Sequence, residues 1–390
     1  MKDETKSIKI QTERTQHKEH STPLFLTSSF TFDDAGEGQA LFNNEIEGNI
    51  YSRYSNPSVQ EFIDKVCMLE GLEQGFATSS GMSAVFAGFA AHLKSGDHLV
   101  ASKALFGSAH QIITQILPKW GISHTYLGTE ATEEDWNKAV QENTKMIYCE
   151  TPSNPGLALV DMEMLGEMAK KHDLIYFVDN CFATPILQKP VEYGADLVVH
   201  SATKFMDGQG RVLGGIICGT PERMEPVTFF CRHTGPAMSP FNAWVLSKSL
   251  ETLHLRMERH CSSASTLAES LQGLEGVNQV NYPFLDSHPQ VALAKKQMKS
   301  GGALVTFELD GGFERIIRFT KLLTIPSKTS NLGDSRTTIT NPNTTTHSKL
   351  AQDIKDELGI TEGLMRVSVG LEDIEDLIQD FKQAIEGSKY

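Results

Sequence analysis

The stretch Ala195-Asp-Leu-Val-Val-His-Ser-Ala-Thr-Lys204 decides how this chain folds. Its apolar run, residues 197–199, is short enough for a buried strand and ends abruptly in hydroxyls and one lysine. A lysine at the C-terminal edge of a parallel sheet, beside Ser201 and Thr203, can lose enough hydration to act as an amine nucleophile toward an aldehyde. Upstream, residues 174–178 form a second continuous apolar run, and this one ends in Asp179. A buried Lys–Asp ion pair would account for both residues. A lysine for a Schiff base and a carboxylate for a pyridinium nitrogen are also the two groups that pyridoxal 5'-phosphate (PLP) requires of a protein.

Working outward, strands and helices alternate. Residues 97–101 and 146–149 read as further strands, the latter running into Glu150-Thr-Pro-Ser-Asn154-Pro, where two prolines stiffen the loop that carries Asn154. Residues 164–172 read as a helix between the strand at Met146 and the strand at Asp179. This order implies a mostly parallel sheet flanked by helices, with the candidate groups at the strand C-termini. Further upstream, Ser80-Gly81-Met82 opens an Ala-rich helix, whose free backbone N–H groups suit either an ordinary serine cap or a phosphate. Phe106 lies in a loop after a strand, where a ring can cover a flat cofactor or simply join the core. Tyr51 and Arg53 precede a helix begun by Asn56 or Ser55 and Pro57, and there they can grip a phosphate or remain solvated.

Gly208-Gln-Gly-Arg-Val-Leu-Gly-Gly has the look of a dinucleotide loop, but it leads into a strand rather than opening a helix, which argues against a nicotinamide cofactor. Residues 241–260 read as one long helix. Beyond about residue 280 the pattern changes to a small α+β unit, in which Arg366 stands alone among apolar neighbours and a long polar loop runs from Lys328 to His347. The expected division is an N-terminal arm, 1–50, polar, without periodicity and so extended over about its first 21 residues, touching a neighbouring subunit, a large domain, 51–255, and a small C-terminal domain, 256–390.

Composition bounds the partners. A net charge of −14 repels nucleic acid and anionic membranes. The six cysteines are scattered with no Cys-x-x-Cys pair, so neither a metal site nor a disulfide framework is expected. No run is long and apolar enough for a transmembrane helix and no signal peptide is visible, which points to the cytoplasm.

Taken together, Tyr-Ser-Arg-Tyr-x-Asn-Pro from Tyr51, Ser-Ser-Gly-Met from Ser79, Glu-Thr-Pro-x-Asn-Pro from Glu150, Val-Asp-Asn from Val178, His-Ser-x-Thr-Lys from His200 and the Ser-Asn-Leu-Gly-Asp loop from Ser330 resemble the Cys/Met-metabolism family of fold-type I PLP enzymes. The resemblance runs from Thr22 onward and implies an α/β fold-type I PLP transferase with a smaller C-terminal α+β domain. It implies Lys204 as the Schiff-base lysine and proton shuttle, Asp179 as the pyridinium partner and Asn154 on the ring's phenolic oxygen. Ser80, Gly81, Met82, Ser201 and Thr203 would hold the phosphate, with Tyr51 and Arg53 from a neighbouring subunit of a homotetramer built as a dimer of dimers. Arg366, with Asn331 and Ser330, would bind the substrate α-carboxylate.

One departure bears on activity. Many members of the family stack a tyrosine on the cofactor where this chain has Phe106, which can stack but has no phenol to move a proton. Phe106, the Ser-Asn-Leu-Gly-Asp loop and Gly235-Pro-Ala-Met-Ser-Pro-Phe-Asn-Ala-Trp244 resemble most the O-succinylhomoserine sulfhydrylase branch. That implies γ-replacement on O-succinyl- or O-acetylhomoserine by sulfide in methionine biosynthesis, by transsulfuration or direct sulfhydrylation. The alternatives are cystathionine γ-synthase and a cystathionine or methionine γ-lyase.

Overall fold

A computed structural model describes residues 1–389 and contains two sheets. The first has seven strands: β1 (Gln74–Thr78), β2 (His98–Ser102), β3 (Ser123–Leu127), β4 (Thr144–Glu150), β5 (Ile175–Asp179), β6 (Leu197–Ser201) and β7 (Gly215–Gly219). Their spatial order is β1-β7-β6-β5-β4-β2-β3, and only β7 runs antiparallel to its neighbours. The central strands are buried on both faces, which is why they read as unbroken apolar runs rather than as alternating ones. The expected mostly parallel sheet flanked by helices is therefore present.

The second sheet orders five strands as β10-β11-β12-β9-β8, with β8 at Val277–Asn281, β9 at Leu304–Leu309, β10 at Ser327–Lys328, β11 at Thr338–Thr340 and β12 at Leu364–Ser368. Helices Leu253–Leu271 and Ile374–Gly387 bury Leu267, Leu271, Leu377 and Phe381 with Phe307 and Met365 of this sheet in one apolar cluster. Among the described residues no helix is long and apolar enough to cross a membrane.

Two local expectations are corrected. The chain from 241 to 260 forms two helices, Pro240–Leu250 and Leu253–Leu271. At the break the Ser249 carbonyl accepts from the buried Arg256 guanidinium at 3.0 Å and from the Thr252 hydroxyl at 3.2 Å, so its lost helical partner is replaced. The N-terminal arm is likewise not extended throughout. Within it α1 (Asp3–Lys9) has Asp3 and Glu4 in its first turn and Lys6 and Lys9 in its last, which complements the helix dipole. A second short helix, α2 (Ala35–Phe42), is capped by Asp34.

The arm is tied to its own chain through α3 (Pro57–Glu70), which starts on the Asn56 cap and ends at Gly71 with φ of 79°. Glu61 of α3 accepts from the Thr12 amide at 2.9 Å and the Ser247 hydroxyl at 2.6 Å, and Lys65 stands 3.2 Å away. Burial raises the Glu61 carboxyl, but the Ser247 and Thr12 hydrogen bonds and the Lys65 charge outweigh it and lower its pKa from 4.5 to about 2. A depressed carboxylate stabilises the fold fully above the unfolded value and loses that contribution as pH falls through the folded one. Glu61→Ala is expected to cost about 3–5 kcal/mol in denaturant titrations at pH 7. The gap to the parent chain should narrow between pH 4.5 and about pH 2, the two carboxyl values involved.

Candidate active site

The strand register brings the polar ends together. In the β4–β5 pair Glu150 stands opposite Asp179, and β6, paired with β5, ends at Ser201, three residues before Lys204. Because in-register residues of neighbouring strands project to the same face, these groups open into one cavity of about 510 Å³. Its wall includes Ser80, Gly81, Met82, Phe106, Asn154, Asp179, Ser201, Thr203, Lys204, Ser330, Asn331 and Arg366, so most of the predicted site residues are brought together. Tyr51 and Arg53 are not among them. They lie beside Leu26, Thr27, Ala237 and Met238, with the Arg53 guanidinium 5.5 Å from the Tyr51 ring and 4.8 Å from the Tyr54 ring.

At one end of the cavity, α4 (Gly81–His92) presents its first turn. Ser80 caps it, accepting from the Ser83 amide at 3.2 Å. Gly81 is required there: a Cβ would sit 2.6 Å from Cβ of Ser201 and 2.8 Å from its Cα, so the helix end presses directly on the end of β6. The Thr203 hydroxyl is held by the Gly214 amide at 3.1 Å.

On the sheet edge, Asp179 accepts from the Cys181 amide at 3.0 Å and, among the described residues, forms no ion pair. Burial pushes its carboxyl up to about 6, against the Cys181 hydrogen bond and the nearby His200. Lys204 Nζ donates to Oδ1 of Asn331 at 2.9 Å, and burial, with the Arg366 charge adding to it, holds its ammonium below the usual lysine range. Arg366, in the middle of β12, donates to Oδ1 of Asn154 at 2.9 Å and to the Ser330 carbonyl at 2.9 Å. Within the loop Asn331 is bonded to Lys204, and Ser330 is the residue bonded to the arginine. The reason is the Gly333 turn, with φ of 76°, which lays the loop along the backbone between Lys204 and Phe205.

Glu150 and Cys181 are among the wall residues that the sequence reading does not single out as site residues. Glu150 appeared only as the polar end of a strand, although its place in register with Asp179 could have flagged it once the strands were aligned. Cys181, two residues after Asp179, also lines the cavity, and burial pushes its thiol well up.

A flat anionic pyridine cofactor fits this donor set. A helix N-terminus with no room for a side chain suits a phosphate, a half-buried carboxylate without a cation suits a pyridinium, and an amine of lowered basicity suits an aldehyde. The site therefore defines a PLP enzyme of fold-type I architecture. Residues 4–386 match the family model described as Cys/Met metabolism PLP-dependent enzyme, and the chain belongs to that family.

An O-succinylhomoserine sulfhydrylase from Pseudomonas aeruginosa is 43% identical over 382 residues, covering 98% of this chain and 94% of that protein. An L-methionine gamma-lyase from Fusobacterium nucleatum subsp. nucleatum is 40% identical over 367 residues, covering 93% of each. Among solved structures, cystathionine gamma synthase from Xanthomonas oryzae pv. oryzae superposes with a TM-score of 0.95 at 31% identity, covering 100% of this chain and 99% of that one. A Campylobacter jejuni structure with a pyridoxyl phosphate linked to a lysine superposes with a TM-score of 0.93 at 30% identity, covering 99% and 100%.

Proposed function

We propose that this protein is an O-acylhomoserine sulfhydrylase of methionine biosynthesis. It exchanges the acyloxy group at Cγ of O-succinylhomoserine, or of O-acetylhomoserine, for sulfide, giving homocysteine and the free acid. The observation that carries the reading is Phe106 on the wall of a cavity that otherwise holds every group PLP needs. The 43% identity to a sulfhydrylase supports it. The 40% identity to a methionine gamma-lyase favours a γ-lyase as the second reading.

When bound, PLP supplies an electron sink for negative charge developed on the carbons of an amino acid. In this reading Lys204 is the covalent anchor for the cofactor aldehyde and afterwards carries protons to and from the substrate carbons, a task its lowered basicity serves. Asp179 holds the pyridinium N–H, and that cation offsets the burial that keeps its carboxyl near 6 in the protein alone. Gly81 and Met82 offer backbone N–H groups to the phosphate, with the hydroxyls of Ser80, Ser201 and Thr203 beside them. Asn154, whose Oδ1 accepts from Arg366, would turn its amide N–H to the ring's phenolic oxygen. Arg366 takes the α-carboxylate as a bidentate partner, with Ser330 and Asn331 fixing the loop over it.

Reaction choice turns on Cγ. After the acyl group departs, draining to α-ketobutyrate needs a proton delivered at Cγ, whereas replacement needs only a thiolate. Phe106 cannot supply that proton, which favours capture by sulfide.

A separate groove, in which Leu26 is exposed, is bordered by Tyr51 and Arg53, which do not line this cavity. We assign them to the phosphate site of a second copy of the chain, with the 1–50 arm at the contact and the dimer doubled to a tetramer.

Lys204→Ala should abolish the visible absorbance of lysine-linked cofactor and lower turnover by roughly 10³-fold or more, and an unchanged spectrum would remove Lys204 from this role. Purified protein given each O-acylhomoserine with sulfide or with cysteine should form homocysteine from sulfide, with little breakdown of methionine or cystathionine. Release of methanethiol or cysteine from those two faster than consumption of the acyl substrate would install the lyase reading. Phe106→Tyr should shift the products toward α-ketobutyrate. Co-refolding inactive Arg53→Ala with inactive Lys204→Ala should restore partial activity, since a mixed dimer holds one intact site, and no recovery in verified mixed dimers would place the site within one chain.

A further inference from the structure

Glu150 is a buried carboxylate that the proposed chemistry leaves unused. It lines the cavity and is 4% exposed, and its Oε2 accepts from the Phe106 amide at 2.7 Å. This contact ties the carboxyl group to the backbone of the proposed ring-stacking residue, and Glu150 begins the loop that carries Asn154, which accepts from Arg366. The neighbour of Glu150 in register across the β4–β5 pair is Asp179, a second, half-buried carboxylate on the same face.

The charged groups around Glu150 do not neutralise it. Arg366 is buried on the far side but makes no ion pair among the described residues, and its bonds go to the neutral oxygens of Asn154 and Ser330. The remaining titratable neighbours include the Tyr148 phenol and the thiols of Cys149 and Cys181, all pushed up by burial and so uncharged at neutral pH. Two like charges side by side in a low-dielectric site cannot both be kept, and once a pyridinium stands at Asp179 it is Glu150, without a cation of its own, that takes the proton. Burial, with the Asp179 charge next, drives the Glu150 carboxyl well above the usual carboxylate range, against the Phe106 hydrogen bond and the Arg366 charge.

We propose that Glu150 is a positioning residue that works as a neutral carboxylic acid: it brackets the Phe106 backbone against the end of β4 and leaves the positive charge of Arg366 to the substrate α-carboxylate. This rests on the assignment of Arg366 to that carboxylate. An ionised Glu150 would instead compete with the substrate for the same guanidinium. It would also repel the ionised Asp179 that a pyridinium requires.

The PLP-loaded enzyme tests this with L-norleucine, an unreactive amino acid that offers only its α-carboxylate, α-amine and an apolar chain. Difference infrared spectra at neutral pH should show a protonated-carboxyl stretch that Glu150→Gln removes. Because Gln is neutral and keeps an acceptor for the Phe106 amide, that variant should bind norleucine within about threefold of the parent. Absence of the band, or a change beyond about threefold in either direction, would make Glu150 a charged partner of Arg366 and overturn the proposal. Glu150→Ala should speed hydrogen exchange at the Phe106 amide by about tenfold or more, and unchanged exchange in the folded variant would overturn the bracket. Should Glu150→Ala not fold, protection of that amide in the parent and its retention in Glu150→Gln decide the same point. Arg366→Lys separates the two readings: if it leaves norleucine affinity unchanged, the carboxylate assignment has failed independently of Glu150.

Discussion

Everything at this site depends on charges buried at the C-terminal edge of a parallel sheet. Arg366 is removed from bulk water and Asp179 and Lys204 are half-buried, and none of them has an ion-pair partner of its own among the described residues. Such groups are costly in a folded protein and persist where a bound ligand completes them. The costs here fall in complementary directions. Asp179 is pushed toward its neutral form and lacks a cation, Lys204 is pushed toward its neutral amine, and Arg366 keeps its charge with only neutral oxygens around it. A cofactor that brings a pyridinium, an aldehyde and a phosphate, followed by a substrate that brings a carboxylate, meets each of these demands.

The remainder of the fold keeps those groups fixed. The in-register pairing of β4 with β5 and of β5 with β6 sets the spacing of the three strand ends. Glycine at the start of α4 lets the helix terminus press against Ser201, so the anion-binding turn and the sheet edge behave as one rigid unit. Closing the other side falls to the second sheet, whose β12 delivers Arg366 and whose 329–334 loop lies over Lys204. A buried network of His200, Glu70, Asn180 and Gln188 underlies the Asp179 strand end from the opposite face, with His200 to Glu70 at 2.5 Å and Asn180 to Glu70 at 2.9 Å. Because side chains alternate across the sheet, Asp179 and Asn180 can serve the cavity and this network respectively.

Phe106 shows how a shared framework leaves room for different reactions. The chain belongs to a family whose members here include a sulfhydrylase, a methionine gamma-lyase and a cystathionine gamma synthase, at 43%, 40% and 31% identity. Groups that hold the cofactor answer to charge and backbone geometry. Under the proposed function, the residue at 106 answers to whether a proton can be delivered from one face of the substrate, and a ring with no hydroxyl would remove that option while keeping an aromatic surface.

Local chemistry made much of this legible along the chain. Residues 197–199 and 174–178 are apolar without alternation because both faces of a central parallel strand are covered, and the polar residues after them had to be strand ends. Ser80 before an Ala-rich helix marked the anion-binding turn for the same reason, since cap preference is local. What the chain alone could not disclose were relations between distant segments. Asn331 bonding to Lys204, Ser330 to Arg366, and Glu150 lying in register with Asp179 depend on how two sheets close on each other and how neighbouring strands align. The break at residues 251–252 belongs to the same class, because the carbonyl it frees is taken by Arg256, a side chain whose guanidinium also reaches the Phe205 and Met206 carbonyls after β6. Periodicity reports which face of an element is buried; only tertiary contact decides which polar group meets which once it is there.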